Sequence, residues 1–223
     1  MEEIPVEKII RSYRRTVALE VTPAATVIVR APLRTSTEYI EEVIQKKSSW
    51  ILRKMDDVKR RPFSPPHEYA DGEMFLYLGH SYPLQIVEKG SITIERGDRL
   101  YVSRIFMPDI RNQLKYWYRE EALREISAWC MHLSLKTGPF PVTIRITDAQ
   151  QRWGSCTPKG GVNFSWRLVQ APPEMVDYVV VHELVHLIQP DHSKKFWDKV
   201  RKIMPDYEIR RYWLKDHVGL LKI

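Results

Sequence analysis

Apolar and polar positions alternate in short β-branched runs through the first third of the chain. Thr16-Val17-Ala18-Leu19-Glu20-Val21 and Thr26-Val27-Ile28-Val29-Arg30, parted by Thr22-Pro23-Ala24-Ala25, predict a β-hairpin or meander. One amphipathic helix should follow. Ser36 or Thr37 can cap it, Ile40, Val43, Ile44, Trp50 and Ile51 form its apolar stripe, and acidic residues precede basic ones along it. Arg61-Pro62-Phe63-Ser64-Pro65-Pro66 breaks that helix. Four further strand signals then appear, at 74–78, 84–87, 91–94 and 100–102, with turns at Gly72, Gly79, Gly90 and Gly97-Asp98.

The pattern changes near Pro108. Leu114, Trp117, Leu123, Ile126 and Trp129 recur at helical spacing within one long helix, 110–136, which Gly138-Pro139 ends. Val142–Ile146 alternates as a strand, and Gly160-Gly161 turns the chain into another, Val162–Leu168. Pro172-Pro173 opens a strongly apolar helix that must stop before Pro190, and segments 193–204 and 207–219 close the chain as helices. The expectation is an α+β protein: residues 1–107 as a β-rich domain with one helix, and 108–223 as a helix–sheet–helix domain.

The densest chemistry lies in the apolar helix, as His182-Glu183-Leu184-Val185-His186. Histidines four apart project from one helix face a turn from each other, a spacing that one tetrahedral metal can bridge. Glu183, one residue on, can reach a metal-bound water without joining the ligands. Val179-Val180-Val181, Leu184-Val185 and Leu187-Ile188 make this helix apolar nearly all round. Two imidazoles and a carboxylate in such a helix cost several kcal/mol unless something satisfies them, and a metal does. Catalytic zinc usually takes three protein ligands. His192 is the favoured third, provided a tight turn at Pro190-Asp191 brings it back; the alternative is a turn residue there and a distant Glu ligand.

With these residues in view, the chain resembles the YgjP-like metal-dependent hydrolases, relatives of the SprT-like and WLM metallopeptidases. The likeness is carried by Arg152-Trp153-Gly154-Ser155-Cys156, Asn163-Phe164, the 182–186 motif and His192-Ser193-Lys194-Lys195-Phe196-Trp197, with weaker support from Leu78–Leu84. The resemblance implies a zincin-like catalytic domain behind a β-rich N-terminal region. It also implies one zinc ion on His182, His186 and His192, with Glu183 as general base. Members are usually called peptidases, and a UTP pyrophosphohydrolase activity has also been assigned within the family, so a peptide or unfolded protein and a nucleotide are both candidate substrates. A non-catalytic nucleic-acid- or protein-binding module with a structural metal is the third reading, which Glu183 argues against.

Around the motif, the hairpin at Gly154 and Ser155 is a candidate lining of the cleft, its edge able to take an extended peptide. A tight turn packed by Trp153 is the plainer alternative. Arg152 and Tyr207 are candidates to donate to a developing oxyanion, beside simpler roles as an ion-pair partner and a helix-start packing residue. Cys156 reads as a small buried or half-buried thiol rather than a nucleophile.

Composition adds limits. The 223 residues carry 43% hydrophobic and 28% charged side chains, which excludes a disordered or fibrous chain. No apolar run approaches a membrane span, the first residues lack a secretory pattern, and two cysteines cannot build a disulfide framework; a cytoplasmic location is expected. The net charge of +7 is compatible with an anionic partner. The basic helix 194–202 could steer an acidic peptide, a nucleotide or nucleic acid.

Overall fold

The computed structural model describes residues 4–22, 24–60, 65–88, 94–221 and 223. Two compact units make up the chain, Met1–Phe63 and Ser64–Ile223.

In the first unit β1 (Val6–Ser12), β2 (Ala18–Val21) and β3 (Val27–Pro32) form a sheet in the order β1-β3-β2. The expected hairpin is the antiparallel β2–β3 pair, while β1 joins β3 in parallel and had no alternating signature. Six of its seven residues are exposed, which leaves no buried face to pattern the sequence. Two helices, α1 (Thr37–Lys46) and α2 (Ser48–Arg60), replace the one expected, and Ser36 caps the first by accepting from the Tyr39 amide at 3.2 Å. Fused and straight, 37–60 would run ~36 Å, whereas the seven-residue β1 spans only ~23 Å. A bend at Lys47 lets Ile40, Ile51 and Met55 bury together with Val27, Val29 and Ala31. Trp50, expected in the stripe, is exposed.

The second unit begins with β4 (Met74–Tyr77), β5 (His80–Val87), β6 (Ile94–Arg96) and β7 (Leu100–Ser103), ordered β4-β5-β7-β6. The expected signals at Arg61–Ser64, Gly90 and Ser91–Thr93 lie outside the described residues, as does Pro23. A 3-10 turn, Arg104–Asp109, leads into the long helix α3 (Ile110–Thr137), which ends at Gly138 with φ +99°. Next come β8 (Thr143–Thr147), β9 (Gly154–Cys156) and β10 (Gly161–Ser165), in the order β8-β10-β9. β10 pairs in parallel with β8 and antiparallel with β9, and it stops at Ser165, where a 3-10 turn (Trp166–Gln170) takes over. The helices α4 (Pro173–His186), α5 (Lys194–Ile203) and α6 (Tyr207–Asp216) complete an α+β fold.

The boundary expected at 107/108 falls inside this second unit. Phe75, Tyr77, Leu84, Leu100 and Val102 share one buried core with α3 and α4. Hydrogen bonds join the layers: Tyr118 donates to the Leu76 carbonyl at 2.6 Å, Tyr77 to Glu121 at 2.5 Å, and the Leu78 amide to the Val169 carbonyl at 2.7 Å. Gly79, at φ +77°, lies so close to Pro172 that a Cβ would meet its Cα at 3.0 Å. The strands that read as a separate β-domain are thus fastened to the entrance of α4. That helix packs against α3, β9, α5 and α6, with Val176, Val179, Val180, Val181, Leu184 and Val185 buried.

Candidate metal centre

His182 and His186 stand one turn apart at the C-terminal end of α4 and are only partly buried, while Glu183, Leu184 and Val185 between them are buried. Pro190 ends helical continuation, and the turn after it is tied down locally. The Gln189 side-chain amide donates to Asp191 Oδ1 at 2.8 Å, and the Ser193 amide donates to the same oxygen at 3.2 Å. His192 is thereby returned to the α4 histidines. The Nε2 atoms of His182, His186 and His192 form a triangle with sides of 3.2, 3.1 and 3.1 Å. Tetrahedral zinc with ~2.0–2.1 Å bonds to nitrogen needs nitrogens about 3.3–3.4 Å apart. The three imidazoles fit that requirement.

Their surroundings fit it too. His186 turns Nδ1 to the Gln189 carbonyl at 3.1 Å, which fixes its tautomer and leaves the Nε2 lone pair facing the triangle. Phe196 lies against all three rings, at centroid distances of 4.8, 4.4 and 4.9 Å from His182, His186 and His192. Trp197 borders His182 and His192 at 5.7 Å each. The sequence marks Phe196 through the family resemblance alone and Trp197 also as a core position; both stand on the first turn of α5, just after His192.

Burial sets the electrostatics. It pushes the Glu183 carboxyl up to about 8, against the pull of Arg152, and His182 down to about 3, with repulsion from His186 and His192 adding. His186 is lowered as well, first by burial. Neutral imidazoles are the ligand form, and a carboxyl penalised for ionising in a buried site needs a nearby positive charge before it can act as a base. Glu183 Oε2 is buried and has no hydrogen-bond partner among the described residues. The donor set and this orphaned oxygen both suit a divalent cation.

A cleft of about 560 Å³ opens over the centre, lined by the three histidines and Glu183 on one side and by β9 and Thr157-Pro158 on the other. Arg152, Gly154, Ser155 and Cys156 all line it, and β9 is the edge of its sheet. Cys156 is half-buried with its thiol pushed up, first by burial and then by Glu183, so it lacks the thiolate character of a nucleophile. Tyr207 is not part of this lining. Its ring stacks on Trp197 at 5.2 Å and its hydroxyl donates to Glu208 at 2.9 Å, the arrangement of a helix-start packing residue, the simpler alternative to the oxyanion role. None of the lysines of 194–202 lines the cleft.

The YgjP-like, metallopeptidase domain family model matches residues 15–217. The chain belongs to the YgjP-like family. Membership makes this YgjP-like protein a metal-dependent hydrolase of the metallopeptidase kind, and peptide or protein substrates are what that family implies. Among solved structures, the crystal structure of the metallopeptidase zymogen of Pyrococcus abyssi abylysin is similar at 22% identity and a TM-score of 0.37, over 40% of this chain and 92% of that one. No curated protein matches the chain. Among the described residues no helix is long and apolar enough to cross a membrane.

Proposed function

We propose that the protein is a zinc-dependent metallopeptidase in which His182, His186 and His192 hold one ion and Glu183 is the general base. The observation that carries this reading is the convergence of three Nε2 atoms within 3.2 Å of one another beside a buried, unpartnered carboxylate oxygen. An all-imidazole donor set favours zinc over magnesium or calcium, which prefer oxygen. When bound, zinc supplies a Lewis acid that lowers the pKa of a water to near neutrality.

Glu183 takes the proton of the attacking water on its free oxygen and returns it to the leaving amine. The substrate strand lies along β9, whose outer edge is unpaired in its sheet, and draws main-chain hydrogen bonds from Gly154 and Ser155. Arg152 donates to the oxygen on which negative charge develops. The two free thiols suit a reducing cytoplasm.

Wild type and Glu183→Gln, each offered an unfolded protein and UTP with bound zinc measured in parallel, test the proposal. The expected result is proteolysis by wild type, its loss with zinc retained in the variant, and no UTP hydrolysis by either. UTP turnover without proteolysis would overturn the peptidase reading, and undiminished proteolysis by the variant would remove Glu183 from the mechanism.

A further inference from the structure

A second cavity, of about 350 Å³, borders the metal centre and shares Arg152, Gly154, His182 and Glu183 with the cleft. Tyr178, one turn before His182 on α4, and Arg211 and Lys215 on α6 complete its polar lining, together with Arg152. Trp153, Val179 and Leu214 supply apolar surface.

The three cations are exposed, and among the described residues none of them forms an ion pair with a carboxylate. Several other arginines of this unit are matched: Arg167 meets Asp148 at 2.8 Å, Arg124 meets Glu121 at 2.5 Å, and Arg210 meets Asp206 at 2.9 Å. Arg210 and Arg211 are chain neighbours with opposite fates. Arg211 and Lys215 stand four apart on one face of α6, a like-charge pair that weakens a helix unless an anion sits between them. Arg211 is nonetheless held in position, its guanidinium 4.9 Å above the Trp197 ring that borders His182 and His192. The Tyr178 ring is buried 5.9 Å from that of His182, and its hydroxyl has no hydrogen-bond partner among the described residues.

We infer that this cavity is a substrate subsite that takes a carboxylate, so that the enzyme prefers peptide bonds near an acidic side chain or near a free C-terminus. The inference rests on the peptide-hydrolysis reading above. Arg211 offers the forked donor pair that matches a carboxylate, Lys215 a point charge and the Tyr178 hydroxyl a further donor. Trp153, Val179 and Leu214 cover the hydrocarbon that carries the carboxylate, which suits an amino-acid residue better than a polyphosphate.

Zinc-loaded full-length protein is offered two peptide sets of one parent sequence: Glu-for-Gln scanned through each position, and C-terminal acid against amide. Cleavage is followed by mass spectrometry. The side-chain source gives a kcat/KM preference for Glu at one fixed distance from the cut, and the terminal source gives a preference for the acid, either being about tenfold or more. Arg211→Gln and Lys215→Gln each lower that ratio, and Lys215→Glu lowers it further. The same peptides are titrated calorimetrically into zinc-loaded Glu183→Gln. Cleavage with no acid preference in either set, or a ratio unmoved by the Arg211 and Lys215 variants, overturns the subsite and leaves the peptidase reading standing. Acid-selective binding that depends on Arg211 and Lys215, without cleavage by wild type, supports the subsite and overturns the peptidase reading. Absence of both overturns both.

Discussion

Gly154 and Glu183 touch so closely that a side chain at 154 would overlap the carboxylate: a Cβ built there lies 2.5 Å from Oε1 and 2.6 Å from Cγ of Glu183. β9 therefore crosses the buried glutamate at backbone distance. Glycine is required there for the close approach, and its absent side chain defines where the carboxylate can stand.

Gly154→Ala tests this. The added methyl must push Glu183 aside, and a displacement of ~1 Å in a catalytic group costs about 10²-fold in rate. Hydrolysis is expected to fall by that order while bound zinc, held by the histidines, stays near one per chain. Unchanged turnover in a variant with full zinc content would show that the position of Glu183 does not matter to the reaction.

Zinc should stabilise the fold by tying the end of α4 to the turn that precedes α5. Binding at a thousandfold excess over Kd adds about 4 kcal/mol, read as a rise in Tm on adding zinc to chelator-treated protein. His192→Ala should lose most of that rise, and Lys195→Ala, exposed three residues on at the start of α5, should keep it. An equal rise in wild type and His192→Ala would exclude His192 as a ligand.

Acid stability depends on Asp148, which fastens α3 to the end of β8 and to the turn before α4. Burial opposes its ionisation, but Lys115 at 2.5 Å and Trp166 Nε1 and Arg167 at 2.8 Å outweigh that and hold the carboxyl well below the usual range. A lowered folded-state value contributes stability above the unfolded pKa of ~3.9, and this is lost as pH falls through the folded value. Asp148→Asn should melt below wild type at pH 7, with a gap that narrows below about pH 4. The contribution is modest because the carboxylate is partly exposed. A gap that stays constant down to pH 2 would assign the effect to packing.

Thiol reactivity should be low throughout the native state. Burial pushes Cys130 up to about 12, so its thiolate fraction at pH 8 is of order 10⁻⁴, and labelling should run about 10³-fold slower than for a free cysteine. Cys156 should also react more slowly than free thiol, since burial and Glu183 both raise it. A fast-labelling thiol in Cys156→Ala would contradict the burial of Cys130.

Much of the site was legible in the chain because its parts lie close together in sequence. His182, Glu183 and His186 share one helix turn, and Pro190 obliges the chain to bend before His192. Strand and helix signals were readable in segments with one buried face, such as Val27–Ala31 and Leu114–Leu133, though the strand expected to run to Leu168 ends at Ser165. They failed at β1, which is exposed on most of its length, and at Lys47, where a bend with neither proline nor glycine divides an otherwise continuous helical pattern.

Local order thus came from periodicity, proline and glycine, and from the cost of burying imidazole and carboxylate in an apolar helix. Long-range placement did not, because nothing in a single chain records which distant segments meet. Only the folded protein packed Phe75, Tyr77 and Leu84 into the core of the catalytic unit, sent the Tyr207 hydroxyl to Glu208 instead of the cleft, and set Arg211 and Lys215 beside Tyr178. Those outcomes follow from how segments separated along the chain fill one another's gaps, a property of volumes and contacts that exists only once the chain has closed on itself.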